Sequence, residues 1–130
     1  MENINEDIKR RILLIEDNYD TQLIFKIYVR ELYDLDVAET AEDGIELLKQ
    51  NNYDLLILDI NLPGKLDGSA VLNQLRNEMN MKDFPVLVVT AYATRGDKEK
   101  YLREGANDYL PKPVLKDDFM DKIRYFTAVA

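Results

Sequence analysis

Short apolar runs separated by longer amphipathic stretches set the pattern of this chain. Ile12-Leu13-Leu14-Ile15, Leu55-Leu56-Ile57-Leu58 and Val86-Leu87-Val88-Val89 are each four consecutive aliphatic residues. Runs of this kind suit strands buried on both faces, as in a parallel sheet. With two weaker stretches, the pattern predicts strands over about 11–16, 35–39, 54–59, 85–90 and 108–111. Pro85 falls at a strand's first position, where its missing N–H is tolerated.

Helical periodicity fills the gaps between these strands. A first helix is predicted from about Asp20 to Leu32, with Leu23, Ile24 and Ile27, then Val29 or Leu32, as its buried stripe. A second starts at Thr40-Ala41-Glu42-Asp43 and carries Ile45, Leu47 and Leu48 to about Asn51. Thr40 and Asp43 have the spacing of a capping box, with Asp in place of Glu. A loop over 60–68 is punctuated by Pro63, Gly64 and Gly68. The third helix, about 69–79, buries Val71, Leu72 and Leu75. The fourth, about 95–104, is weakened by Gly96 near its start and stopped by Gly105-Ala106. The last begins near Lys116 and carries Phe119, Met120, Ile123 and Phe126. Strict alternation of strand and helix predicts a single-domain α/β fold. It is a doubly wound, flavodoxin-like (βα)5 parallel sheet with strand order 2-1-3-4-5. Residues 1–10 read as an N-terminal extension, 11–127 as the domain and 128–130 as a tail.

Composition narrows the function. The chain has 130 residues and is 46% hydrophobic, which suits one core. It has no Cys, which excludes disulfides and thiolate metal sites. It has no His, so imidazole chemistry has to come from a partner. A net charge of −8 argues against nucleic-acid and anionic-membrane partners. No apolar run approaches the roughly 20 residues of a membrane-spanning helix. The acidic start, Met1 to Asp7, does not resemble a signal peptide. The expectation is a cytoplasmic protein.

Each predicted strand that carries candidate chemistry ends in a reactive polar residue. The first ends in Glu16-Asp17, the third in Asp59, the fourth in Thr90 and the fifth in Lys112. In an open parallel sheet these C-terminal ends share one edge, where ligands bind. Any one of these acids alone reads best as an exposed loop carboxylate. Three on one edge repel each other unless a hard divalent cation relieves them. Asp59 is also a candidate nucleophile, because carboxylates form acyl phosphates in some phosphoryl-transfer systems. Mg2+ or Mn2+ and the Lys112 ammonium would balance the charge of the transferred group, and the Thr90 hydroxyl would donate a hydrogen bond to one of its oxygens. A cis bond from Lys112 to Pro113 would aim the ammonium back over the edge.

These residues resemble the receiver domain of two-component response regulators. The match runs from about Arg11 to Thr127. It comprises Glu16-Asp17, Asp59, Leu62-Pro63, Asp67-Gly68, Thr90-Ala91 and Lys112-Pro113. The resemblance implies that Asp59 accepts a phosphoryl group from a phosphohistidine on a sensor histidine kinase or histidine phosphotransfer protein. It implies that Asp17, Asp59 and the Asn61 carbonyl ligate Mg2+, with Glu16 acting through water. It also implies that Thr90 and Tyr109 form a switch pair. Phosphorylation then reshapes the surface of the fourth helix, fifth strand and fifth helix, which contacts a downstream protein target. Ala91 leaves the phosphate accessible.

Two departures stand out. The segment Gly64-Lys65-Leu66-Asp67 is one residue longer than the family's usual loop. Tyr92 is bulky where, with Asn61, it lines the route of hydrolytic water, which implies an altered phosphoryl lifetime. On this reading the chain catalyses only its own phosphorylation and dephosphorylation, and it is either a stand-alone switch or a receiver excised from a longer protein. Tyr101 and Tyr125 are candidate exposed aromatics of a dimer or target face. One alternative is a degenerate receiver that works by binding alone, though none of the acids, Thr90 or Lys112 is lost. Another is an aspartyl-phosphate phosphatase of the haloacid dehalogenase type, which needs an acid where Asn61 stands. A flavin-binding module would want a phosphate-cradling loop in place of Glu16-Asp17-Asn18-Tyr19-Asp20.

Overall fold

Five parallel strands lie in the order β2-β1-β3-β4-β5. They are β1 (Arg10–Ile15), β2 (Tyr33–Ala38), β3 (Leu55–Asp59), β4 (Val86–Thr90) and β5 (Asp108–Pro111). The helices between and after them are α1 (Tyr19–Val29), α2 (Ala41–Gln50), α3 (Gly68–Asn73), α4 (Asp97–Arg103) and α5 (Lys116–Thr127). A five-residue π-helical turn, Gln74–Glu78, prolongs α3. This computed structural model describes residues 9–64, 66–91 and 96–128. Tyr92, Arg95, Lys65 of the long loop, most of the N-terminal extension and the last two residues lie outside that range.

The period of two in a strand sorts the core into two layers. Leu13, Ile15, Leu56, Leu58, Val86 and Val88 pack towards α2, α3 and α4, against Ile45, Leu48, Val71, Leu72 and Leu75. Ile12, Leu14, Leu55, Ile57, Leu87 and Val89 pack towards α1 and α5, against Phe25, Val29, Phe119, Met120 and Ile123. Helices thus cover both faces, and the edge at the strands' C-terminal ends is left to carry function.

The structure corrects the expected face of α1. Leu23, Ile24 and Ile27 are 58%, 44% and 48% exposed, and Leu32 lies beyond the helix and is also exposed. The buried residues are Gln22, Phe25 and Val29. Both stripes recur at helical spacing, so periodicity alone does not choose between them. Phe25 chooses by stacking on Phe119 with ring centroids 4.3 Å apart. Gln22 reinforces the choice by donating from Nε2 to the Glu16 carbonyl at 2.7 Å.

Helix starts follow their caps. The side chains of Asn18, Thr40 and Asp67 accept from the backbone N–H three residues on, at 2.9, 3.1 and 2.9 Å. Gly96 is the N-cap of α4 at φ 91, not a residue within the helix as the pattern predicts. At that left-handed angle glycine suits the chain and does not weaken it.

Candidate functional site

The register places the reactive strand ends side by side. β1 pairs with β3 so that Ile15 faces Leu58, and β4 pairs with β5 so that Thr90 faces Pro111. Glu16, Asp59, Thr90 and Lys112 therefore converge, as the sequence predicts. Carboxylate oxygens of Glu16, Asp17 and Asp59 lie within 4.8 Å of one another. Glu16 is 1% exposed and Asp59 6%, whereas Asp17 is exposed. Together with Asn61, Ala91 and Lys112 they line a cleft of about 360 Å3.

Lys112 reaches in from β5. Its Nζ donates to Glu16 Oε1 at 2.6 Å and stands 3.5 Å from Asp59 Oδ2. The Lys112–Pro113 bond is cis, as expected. The Asn18 backbone N–H donates to the other Glu16 oxygen at 3.1 Å. Burial pushes the Glu16 carboxyl up to about 7, against the pull of Lys112, and the Asp59 charge adds to the rise.

Asn61 ties Asp59 to Thr90. Its backbone N–H donates to Asp59 Oδ1 at 3.1 Å, and its side-chain amide donates to Thr90 Oγ1 at 3.1 Å. Thr90 is fully buried. The turn after Asp59 is held by Gly68, whose N–H donates to the Ile60 carbonyl at 3.0 Å. A Cβ on Gly68 would sit 2.6 Å from the Ile60 Cα, so the approach requires glycine.

Tyr109 lies opposite Val88, one step below Thr90 on the same strand face. It is 9% exposed, and burial raises its hydroxyl's pKa. Tyr101 corrects the expectation of exposure: it is 7% exposed and stacks on Tyr109. Tyr125 is exposed, at 76%. Sequence reasoning also missed Gln22, because its role depends on a carbonyl at the end of a different element.

The donors here are all oxygen, the set preferred by a hard divalent cation. Two buried acids held by one ammonium leave a surplus of negative charge that such a cation would relieve. The site is thus able to hold a cation and to set a carboxylate nucleophile beside an ammonium and a hydroxyl.

Comparison with known proteins agrees with this geometry. The model of the response regulator receiver domain matches residues 12–124. The transcriptional regulatory protein HprR of Escherichia coli is 39% identical over 115 residues, covering 88% of this chain and 50% of that protein. The cell cycle response regulator CtrA of Brucella ovis is 34% identical over 114 residues, covering 87% and 48%. The chain thus spans about half the length of these relatives. Among solved structures, a response regulator of Chloroflexus aurantiacus superposes with a TM-score of 0.86 at 26% identity, covering 94% of this chain and all of that one. The receiver domain of the sensor histidine kinase PA1611 of Pseudomonas aeruginosa superposes at 0.83 with 28% identity, covering 94% and 100%; it carries a magnesium ion in its active-site cleft. Fold and site define a two-component signalling module. The chain belongs to the response regulator receiver domain family.

Proposed function

We propose that this chain is a phosphoacceptor switch of a phosphorelay, with Asp59 as the acceptor. The observation that carries this is the placement of Asp59: a buried carboxylate beside the Lys112 ammonium and two further acids. An Asp59 oxygen forms the new O–P bond as the P–N bond to a donor imidazole breaks, and the electron pair of that bond leaves with the ring. Lys112 balances charge on the transferred group. Thr90 donates its hydroxyl to a phosphoryl oxygen, and Tyr109 completes the switch pair.

The acids fit a divalent cation, Mg2+ or Mn2+. Asp17, Asp59 and the Asn61 carbonyl would hold it, with Glu16 acting through water. The ion would supply charge neutralisation at the phosphoryl oxygens. The magnesium ion in the active-site cleft of the Pseudomonas aeruginosa receiver supports a divalent cation here.

The donor is a sensor histidine kinase or a histidine phosphotransfer protein, since this chain has no His. Ile24 and Leu115 line a groove of about 480 Å3 that shares Ala91 and Lys112 with the site cleft. A donor presenting imidazole to Asp59 would rest its apolar surface there. The output is a protein target on the α4-β5-α5 face. The domain itself contacts neither nucleic acid nor membrane, and it works in the cytoplasm. Among the described residues no helix is long and apolar enough to cross a membrane.

The test is transfer from a radiolabelled phosphohistidine protein. Label should pass to the wild type and not to Asp59→Asn. Label that stays on the donor, or that moves equally to both, contradicts the proposal.

A further inference from the structure

Tyr101 and Tyr109 stack with ring centroids 6.2 Å apart and planes inclined by 16°. One ring belongs to α4 and the other to β5. Both are more than nine-tenths buried. The Tyr109 hydroxyl is buried with no hydrogen-bond partner among the described residues. An orphaned hydroxyl disfavours the inward ring, so ring contacts have to hold it there. Stacked aromatics supply such an attraction beyond the area they bury.

Tyr101 has two further neighbours that a plain core residue would not need. The Lys100 ammonium lies 5.2 Å from its ring centroid, a cation–π contact at the solvent side. Tyr101 also lines a groove of about 640 Å3 with Asp17, Asn61 and Asp67, alongside the acid site. It therefore stands between the flank of the site and the Tyr109 ring.

We propose that Tyr101 is a positioning residue that holds the Tyr109 ring inward. The inference deepens the switch reading above and rests on it for the ring's signalling role; the ring's pose rests on the stack alone. Tyr101 does not touch the phosphoryl group. Its effect passes through Tyr109.

Fluorine NMR of protein carrying 3-fluorotyrosine reads the pose directly. Loss of one resonance in Tyr109→Phe assigns that ring. The H2O-to-D2O isotope shift of the resonance then reports its exposure. Wild type and Tyr101→Phe, which keeps the stack, should show almost none. In Tyr101→Leu and Tyr101→Met the outward population should rise about fivefold, with a matching isotope shift. An isotope shift of Tyr109 that stays as small as in wild type in both variants overturns the proposal. Failure of both to fold also overturns it, because Tyr101 would then be a core residue and not a positioning one. Weighing the same samples after Mg2+ and acetyl phosphate separates the two claims. No mass gain in any sample counts against the phosphoacceptor reading and leaves the ring result standing.

Discussion

Lys112 donates to Glu16 at 2.6 Å yet stands 3.5 Å from Asp59, so one ammonium is shared between an acid on the flank of the site and the proposed acceptor. This sharing has opposite consequences for two measurable steps. Lys112→Met removes a positive charge from beside the acids, so Mg2+ should bind up to ~10-fold more tightly, as expected for one charge at screened range. The same change removes charge balance at the transferred group, so phosphorylation by acetyl phosphate should slow by about 10^2-fold. Calorimetry and time-resolved intact mass check the two. Parallel loss of both would contradict the assigned role.

Gly68 fixes the turn behind Asp59. Gly68→Ala places a methyl 2.6 Å from both the Ile60 Cα and the Ile60 Cδ1 and 3.0 Å from the Asp59 carbonyl, and the two backbone atoms cannot swing aside as a side-chain tip can. The expected cost is roughly 1–3 kcal/mol of stability by urea unfolding. Phosphorylation should slow as well, since Asn61 lies in the same turn. A variant as stable and as active as wild type would contradict the close approach.

The corrected face of α1 gives a contrast within one helix. Phe25→Ala should cost about 3–5 kcal/mol, because the ring is buried against Phe119. Ile27→Lys should stay within about 0.5 kcal/mol of wild type. Similar urea midpoints for the two variants would mean that the sequence-derived stripe is the buried one after all.

That contrast marks how far the sequence is legible. The strands and their polar ends are readable because a strand buried on both faces needs an unbroken apolar run, and the first polar residue announces the edge. Glu16, Asp59, Thr90 and Lys112 follow from this. Faces of helices are harder. Tyr19–Val29 offers two apolar stripes, and a stacking partner 94 residues away decides between them. Tyr101 is likewise buried by its partner on β5 and not by its own helix. Gly96 reads as a helix weakener because the pattern does not reveal its left-handed angle.

A pH dependence arises at the opposite end of the sheet. Tyr53 donates to Asp36 Oδ2 at 2.6 Å, and Arg11 donates to the same oxygen at 3.0 Å. Burial, with the Asp36 hydrogen bond and charge, pushes the Tyr53 hydroxyl up to about 12 from its ordinary 10. A folded-state value above the unfolded one stabilises the fold below pH 10, and that stability is lost as pH rises through 12. Tyr53→Phe should therefore be less stable than wild type at pH 8, by about 1 kcal/mol. The gap should narrow by pH 11 to 12 in urea titrations. A constant gap would contradict the bond to Asp36.

The most direct test of the central claim is intact mass after incubation with Mg2+ and acetyl phosphate, run beside Asp59→Asn. We expect one added phosphoryl group on the wild type, none on the variant, and none on either when EDTA is added first. Equal addition to both proteins, or addition that EDTA does not prevent, would contradict the assignment of Asp59 as a metal-dependent phosphoacceptor.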